Sequence, residues 1–161
     1  MRAFVAIGSN IDPEANILRA LRLLAEQTSV RAVSRFYRTA AIGRPDDPAF
    51  LNGACALDTE LPAERLKRDV LRRIEDATGR LRTADAYAPR TMDLDIAAYG
   101  EQVDPDVYAR AFLARALYDL APELVLADTG ARIADVVRRF SDAPLEIDEP
   151  FTRTAQEMFA K

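Results

Sequence analysis

The segment Pro89-Arg-Thr-Met-Asp-Leu-Asp-Ile96 carries two carboxylates two residues apart, with an apolar residue after each of them. In a β-strand successive side chains point to opposite faces, so Asp93 and Asp95 would share one face, about 7 Å apart. Carboxylates held this close repel each other, and a divalent cation relieves the repulsion. The segment therefore predicts a strand that binds Mg²⁺, whereas an ordinary strand with two exposed aspartates is the simpler alternative for an isolated Asp-x-Asp pair.

Upstream of this segment, apolar runs and helical spacing alternate in the order strand, helix, strand, strand, helix. We expect Asp12 to cap the first helix, Pro13 to open it, and Gly79 to end the second. The expected elements are strands at 3–7, 30–37, 50–57 and 93–99 and helices at 13–24 and 62–79. This order is typical of a ferredoxin-like α+β fold, with both helices on one face of an antiparallel sheet. The first and fourth strands would then be neighbours, which would bring Gly8-Ser-Asn10 near the aspartate pair.

The C-terminal part of the chain has weaker patterns. A helix at 107–120 would bury Phe112, Leu113, Leu117 and Leu120, and a short strand at 124–126 and a helix near 133–140 would follow. From Ser141 onward, acidic residues and prolines indicate an irregular tail with a short last helix. The whole chain, 1–161, is expected to form one domain with a C-terminal extension.

Composition narrows the classes of function. The chain has 161 residues, 49% of them hydrophobic, which is enough for one ordinary core. Its net charge of −4 gives no support for binding to nucleic acid or to an anionic membrane. The single cysteine excludes an intramolecular disulfide and a cysteine-based metal cluster, and the lack of histidine excludes a histidine-based triad and histidine-ligated zinc within the chain. The absence of a signal peptide or a long apolar run favours a cytoplasmic protein, which we expect to act as a monomer.

Two segments rich in Gly, Pro, Asp or Arg, at 38–48 and 80–90, are expected to be loops that serve as lids or binding segments. A merely tolerated surface loop is the alternative for the first of them. Arg90 lies close enough to the aspartate pair to bind a phosphate that the metal would also bind. Asn52 interrupts an apolar strand, so it needs partners, either within the fold or on a ligand.

Several motifs occur together in one order: Ala-Ile-Gly-Ser-Asn at 6–10, Tyr-Arg-Thr at 37–39, Phe-Leu-Asn at 50–52, Gly-Arg-Leu-Arg at 79–82 and the segment at 89–96. Over roughly residues 3–126 the chain resembles the 6-hydroxymethyl-7,8-dihydropterin pyrophosphokinase family of folate biosynthesis. The resemblance implies a ferredoxin-like fold and transfer of the pyrophosphoryl group of ATP to the hydroxymethyl oxygen of the pterin, with AMP as the second product. It also implies two Mg²⁺ ions, and ATP and the pterin as the small-molecule partners.

The same resemblance implies roles for individual residues. The metal ligands would be Asp93 and Asp95, and the catalytic residues Asp95, Arg80 and Arg90. The pterin would be bound by Thr39, Ile42, Gly43, Phe50, Asn52 and Phe112. The nucleotide would be bound by Glu75, Arg80, Arg82, Tyr87, Arg90, Ile96 and Arg110. These residue types suit the ligands, because arginine forks match phosphate oxygens and aromatic faces match a flat ring.

The chain also departs from the family pattern. Where the family has a Pro-His pair after the fourth strand, the segment 103–106 has none, and Tyr87 and Ala88 replace a Trp and a Gly. Phe112 could equally be a core residue, and Glu75 could have a surface or capping role. A divergent magnesium-dependent kinase or nucleotidyl transferase, or a non-catalytic ligand-binding module of the same topology, therefore remain as alternatives.

Overall fold

The computed structural model describes residues 1–40, 49–79 and 92–160. Within these ranges seven strands form one antiparallel sheet, in the order β6-β5-β1-β4-β3-β7, and β2 also pairs with β4. The strands are β1 (Arg2–Ser9), β2 (Ser29–Val33), β3 (Tyr37–Thr39), β4 (Phe50–Asp58), β5 (Asp93–Tyr99), β6 (Gln102–Val103) and β7 (Glu146–Ile147). The predicted α+β class is confirmed, and β1 and β5 are neighbours as expected.

The helices of the described residues lie on both faces of the sheet. They are α1 (Pro13–Gln27), α2 (Ala63–Arg65), a π-helical stretch (Leu66–Leu71), α3 (Arg72–Ala77), α4 (Asp106–Ala109), α5 (Ala111–Leu120), α6 (Ile133–Arg138) and α7 (Glu149–Glu157). The run from α2 to α3 is the predicted second helix, and Gly79 follows it with a positive φ of 88°. Every helix in these ranges is too short or too polar to cross a lipid bilayer.

Successive side chains of β1 point to opposite faces of the sheet, into two separate parts of the apolar core. Val5 and Ile7 pack with α1, the π-helical stretch, α3 and α7, whereas Phe4 packs with α5 and α6 on the opposite face. The first face holds the two helices of the predicted ferredoxin-like order together with α7, and the second face is covered by α4, α5 and α6. Cys55 lies on the first face with no exposed surface, and burial raises the pKa of its thiol to about 12.

The predicted capping role of Asp12 is wrong. Its backbone is left-handed, with φ 42° and ψ 52°, and its side chain makes no capping hydrogen bond. A capping side chain reaches the first N–H groups of a helix from an extended backbone, which Asp12 lacks. Instead, the Nδ2 of Asn16, in the first turn of α1, donates to the Ile11 carbonyl at 2.8 Å and holds the turn that precedes the helix.

The predicted strand at 30–37 is two strands, because the chain leaves the sheet between Val33 and Tyr37. Ser34 makes a two-way contact with Ala54: its backbone N–H donates to the Ala54 carbonyl at 2.9 Å, and its Oγ accepts from the Ala54 N–H at 2.8 Å. Phe36 then fills the space over Gly53, where a Cβ would clash with its ring. The tertiary contact of Phe36 outweighs the local alternation.

Two predictions for the C-terminal part also need correction. The helix at 107–120 is broken at Arg110, whose backbone is extended with φ −117° and ψ 116°, and Phe112 and Leu120 are only partly buried. The predicted strand at 124–126 is wrong, since the described chain has there a single bridge between Val125 and Arg132. The last helix is present as α7, and a short strand, β7, precedes it.

Candidate active site

Strand register brings polar side chains from β4 and β5 to one face of the sheet, on either side of β1. In the pairing of β1 with β5, Gly8 lies opposite Asp93 and Ala6 opposite Asp95. In the pairing of β1 with β4, Gly8 lies opposite Asn52. Because side chains alternate along each strand, the two aspartates and Asn52 emerge on the same side as α5.

These side chains line a cleft of about 550 Å³ between the sheet and the segment that begins with α4. Of the residues predicted for the site, the cleft collects Thr39, Phe50, Asn52, Asp93, Asp95, Arg110 and Phe112. Glu75 and Ile96 do not line it. The other predicted residues, Ile42, Gly43, Arg80, Arg82, Tyr87 and Arg90, lie outside the described residues, as do most of the two predicted loops. Their roles stay predictions.

The floor of the cleft depends on Asn52 and Gly8. Asn52 is 9% exposed, and its Nδ2 donates to the Thr39 Oγ1 at 2.7 Å. The hydrogen-bond partner that a polar residue in this strand requires is therefore supplied within the site itself. A Cβ at Gly8 would clash with the Asn52 Oδ1, so the absence of a side chain at position 8 leaves room for the amide.

The aspartate pair has the composition of a magnesium site. Asp93 and Asp95 are both only partly buried, and the Lys67 Nζ lies 3.4 Å from the Asp95 Oδ1, which places a cation beside this carboxylate. Among residues 1–40, 49–79 and 92–160, no three His, Cys, Asp or Glu side chains converge to hold a metal. Magnesium is commonly held by one or two carboxylates together with substrate phosphates and water, so two carboxylates in an open cleft fit this ion.

Glu75 supports the strand that carries the aspartates. It is 3% exposed, and its Oε2 accepts at 2.9 Å the N–H of Leu94, the residue between Asp93 and Asp95. The alternative of a surface role is therefore wrong. Ile96 is buried in the core on the α1 side of β5. The contacts of Glu75 and Ile96 with a nucleotide stay predictions.

Sequence reasoning missed the acidic residues Asp104 and Asp106, which line the cleft, and Lys67, which pairs with Asp95 beside it. The Asp104 Oδ1 accepts the Asp106 N–H at 2.9 Å. Burial raises the pKa of the Asp104 carboxyl, the hydrogen bond from Asp106 opposes this, and the charges of Asp106 and Asp95 add to the rise. The Asp104-Pro105 pair just before α4 was the sequence signal that could have indicated the role of Asp104. Lys67 gave none, because it lies on a helix face that reads as solvated surface.

Comparisons with known proteins agree with this geometry. The family model for 7,8-dihydro-6-hydroxymethylpterin-pyrophosphokinase matches residues 4–122. A 2-amino-4-hydroxy-6-hydroxymethyldihydropteridine pyrophosphokinase of Pseudomonas aeruginosa is 41% identical over 79% of this chain and 85% of its own length. The proteins of the same name from Haemophilus influenzae and Methylorubrum extorquens are 32% and 39% identical, over 87% and 83% of this chain and 93% and 90% of their own lengths. The chain therefore belongs to the 7,8-dihydro-6-hydroxymethylpterin-pyrophosphokinase family.

Proposed function

We propose that the chain transfers the pyrophosphoryl group of ATP to 6-hydroxymethyl-7,8-dihydropterin, producing AMP and the pterin pyrophosphate in folate biosynthesis. The observation that carries the proposal is the shared cleft, in which Asp93 and Asp95 lie on the same wall as Asn52 and Phe50. Family membership supplies the reaction, and the names of the curated relatives support the substrate. Because this reaction consumes ATP in a biosynthetic route, a cytoplasmic location is part of the proposal. We also propose that the enzyme acts as a monomer.

The pterin would occupy the apolar half of the cleft. Phe50 on β4 and Phe112 on α5 come from opposite walls, so they offer two aromatic faces to a flat ring. Asn52 presents an amide with both donor and acceptor capacity, and Thr39 holds that amide in place. Ile42 and Gly43, which follow β3 in sequence, complete the proposed pterin-binding set.

The phosphates would occupy the acidic half of the cleft, with two Mg²⁺ ions held at Asp93 and Asp95. When bound, these ions neutralise phosphate charge and polarise the transferred group. Arg110 lines the same cleft and can contact the nucleotide there. For Arg80, Arg82, Arg90 and Tyr87, the nucleotide roles rest on their matches to the family motifs. Glu75 and Ile96 would contribute on the nucleotide side, Glu75 also through its bond to β5.

Incubation of the purified chain with ATP, Mg²⁺ and 6-hydroxymethyl-7,8-dihydropterin, followed by chromatography, tests the proposal. We expect AMP and the pterin pyrophosphate in equal amounts, and neither without Mg²⁺. ADP in place of AMP would indicate ordinary phosphoryl transfer, the first alternative. Binding of the pterin and an ATP analogue by calorimetry with no turnover would indicate a non-catalytic module.

The ion pair of Lys67 with Asp95 leads to a prediction for the metal site. In Lys67→Met, the Asp95 carboxylate loses a competing cation, so Mn²⁺ should bind the nucleotide-free protein about two- to fivefold more tightly, the range for an exposed pair. Electron paramagnetic resonance of free Mn²⁺ measures this affinity. Arg68→Met is the matched control, because it removes a positive charge from the same π-helical stretch, where Arg68 pairs with Asp69. Equal affinities of the two variants would contradict the prediction.

A further inference from the structure

The C-terminal segment 146–157 lies beyond the residues that the family model matches, yet it contacts a strand of the candidate site. Strand β7 pairs with β3, with Ile147 opposite Tyr37 and Glu146 opposite Arg38. The sheet thus continues past β3 at this edge. Thr39, the residue that holds the Asn52 amide, is the last residue of the covered strand.

Arg38 is held from two sides. Its Nη2 lies 2.6 Å from the Asp148 Oδ2 and 2.6 Å from the Glu14 Oε1, and its Nε donates to the Asp148 Oδ2 at 3.0 Å. The Asp148 side chain is only 13% exposed, so this pair is better shielded from water than an ordinary surface ion pair. Asp148 also accepts the Phe151 N–H at 3.0 Å and so caps α7. One carboxylate therefore joins β3 to the start of the last helix.

The irregular backbone just before β3 is satisfied by the same segment. The Phe36 N–H donates to the Thr152 Oγ1 at 2.9 Å, and the Phe36 carbonyl accepts the Asp148 N–H at 2.9 Å. The rings of Phe36 and Phe151 meet edge to face at 5.1 Å. At Phe36, where the chain is out of the sheet, Asp148 and Thr152 thus supply the hydrogen-bond partners that a neighbouring strand would otherwise give.

We propose that the segment 146–157 is a positioning element for the pterin pocket, in which Asp148 acts through Arg38 to set the position of Thr39 and hence of Asn52. Strand alternation puts Arg38 and Thr39 on opposite faces, so a restraint on Arg38 from the α7 side fixes the backbone that aims Thr39 into the cleft. The proposal rests on the proposed function for its substrate, and on the contacts of β3 and of Phe36 just before it for the positioning effect.

Asp148→Asn tests the proposal, because Asn keeps an acceptor for the cap of α7 and loses the charge that holds Arg38. We expect the KM for the pterin to rise about fivefold or more, with the KM for ATP and the kcat within about twofold of wild type. Hydrogen exchange at the amides of 37–39 and 52 should become faster. Arg38→Met, which leaves the α7 cap untouched, should give the same selective rise, and combining the two should add little further effect.

Asp58→Asn is the matched control. Hydrogen bonds from Arg2 and Arg31 lower the pKa of Asp58 to about 2, so this variant also removes a carboxylate that binds arginine. Asp58 lies at the end of β4 remote from Phe50 and Asn52, and we expect both KM values to stay unchanged.

The outcomes separate the two proposals. If the wild-type chain makes no AMP, the proposed function fails, and hydrogen exchange still decides the role of Asp148. Unchanged exchange at 37–39 in both variants would overturn the positioning role. So would equal rises in the KM for ATP and the KM for the pterin, because a general loss of structure would affect both substrates.

Discussion

Asp95→Asn should lower the rate of AMP formation by about 10³-fold or more, while the free energy of unfolding stays within about 1 kcal/mol of wild type. Asn has nearly the size of Asp and lacks the negative charge that makes a carboxylate a strong magnesium ligand. Bound metal ions supply several kcal/mol of transition-state stabilisation, and each tenfold in rate corresponds to about 1.4 kcal/mol. The Asp95 side chain is 42% exposed and lies outside both apolar clusters, so the fold does not depend on it.

Single-turnover measurements with ATP and the pterin at saturating concentrations give this rate, and thermal unfolding checks the fold. Binding of Mn²⁺, measured without turnover, should weaken in Asp95→Asn as well. Asp58→Asn serves again as the control, because it removes a carboxylate of the same sheet that lies far from the cleft and should leave the rate intact. An Asp95→Asn variant that forms AMP at the wild-type rate would refute the metal assignment.

Gly8→Ala should lower kcat/KM for the pterin by about 10²-fold, with a smaller effect on ATP binding. The new methyl group would clash with the Asn52 Oδ1, so the amide must rotate, lose its bond to Thr39 and enter the space proposed for the pterin. Overpacking costs about 1–3 kcal/mol, and a displaced recognition group accounts for a loss of this size in catalytic efficiency. Initial rates at varied pterin concentration measure it.

Gly53→Ala is the matched control, because Gly53 lies on the neighbouring strand and faces the opposite side of the sheet. There the new methyl group would clash with the ring of Phe36 in the core. We expect Gly53→Ala to lower the free energy of unfolding by about 1–3 kcal/mol and to leave the KM for the pterin near its wild-type value. If both variants lose stability equally and keep pterin affinity, Gly8 has no special role in the cleft.

The parts of the fold that follow from local patterns were predicted from the sequence. The alternation at 93–99 places Asp93 and Asp95 on one face, and the expected pairing of the first and fourth strands places Gly8 opposite Asp93. Both are direct consequences of strand geometry and of the order of elements. The family motifs supplied most of the candidate site residues. Those among them that belong to the described strands or to α5 line one cleft, apart from Ile96.

The parts that depend on distant contacts could not be predicted. The break before Tyr37 exists because Phe36 finds partners on α7, more than 100 residues away in sequence. The approach of Lys67 to Asp95 depends on how the 63–77 helical run packs on the sheet, which helical periodicity does not specify. The helices α4, α5 and α6, which cover the second face of the sheet, come from C-terminal segments whose sequence patterns are weak. The helix predicted at 107–120 is broken at Arg110, where no Pro or Gly in the sequence indicates a break.

Burial of Cys55 has a practical consequence for the study of ligand binding. The chain has no other cysteine, and a thiol with no exposed surface and a pKa near 12 carries almost no thiolate at neutral pH. A cysteine introduced on the surface would therefore react selectively with a maleimide dye in an otherwise natural chain. A probe attached to such a cysteine would report by fluorescence how the protein responds to the nucleotide and to the pterin, each added alone.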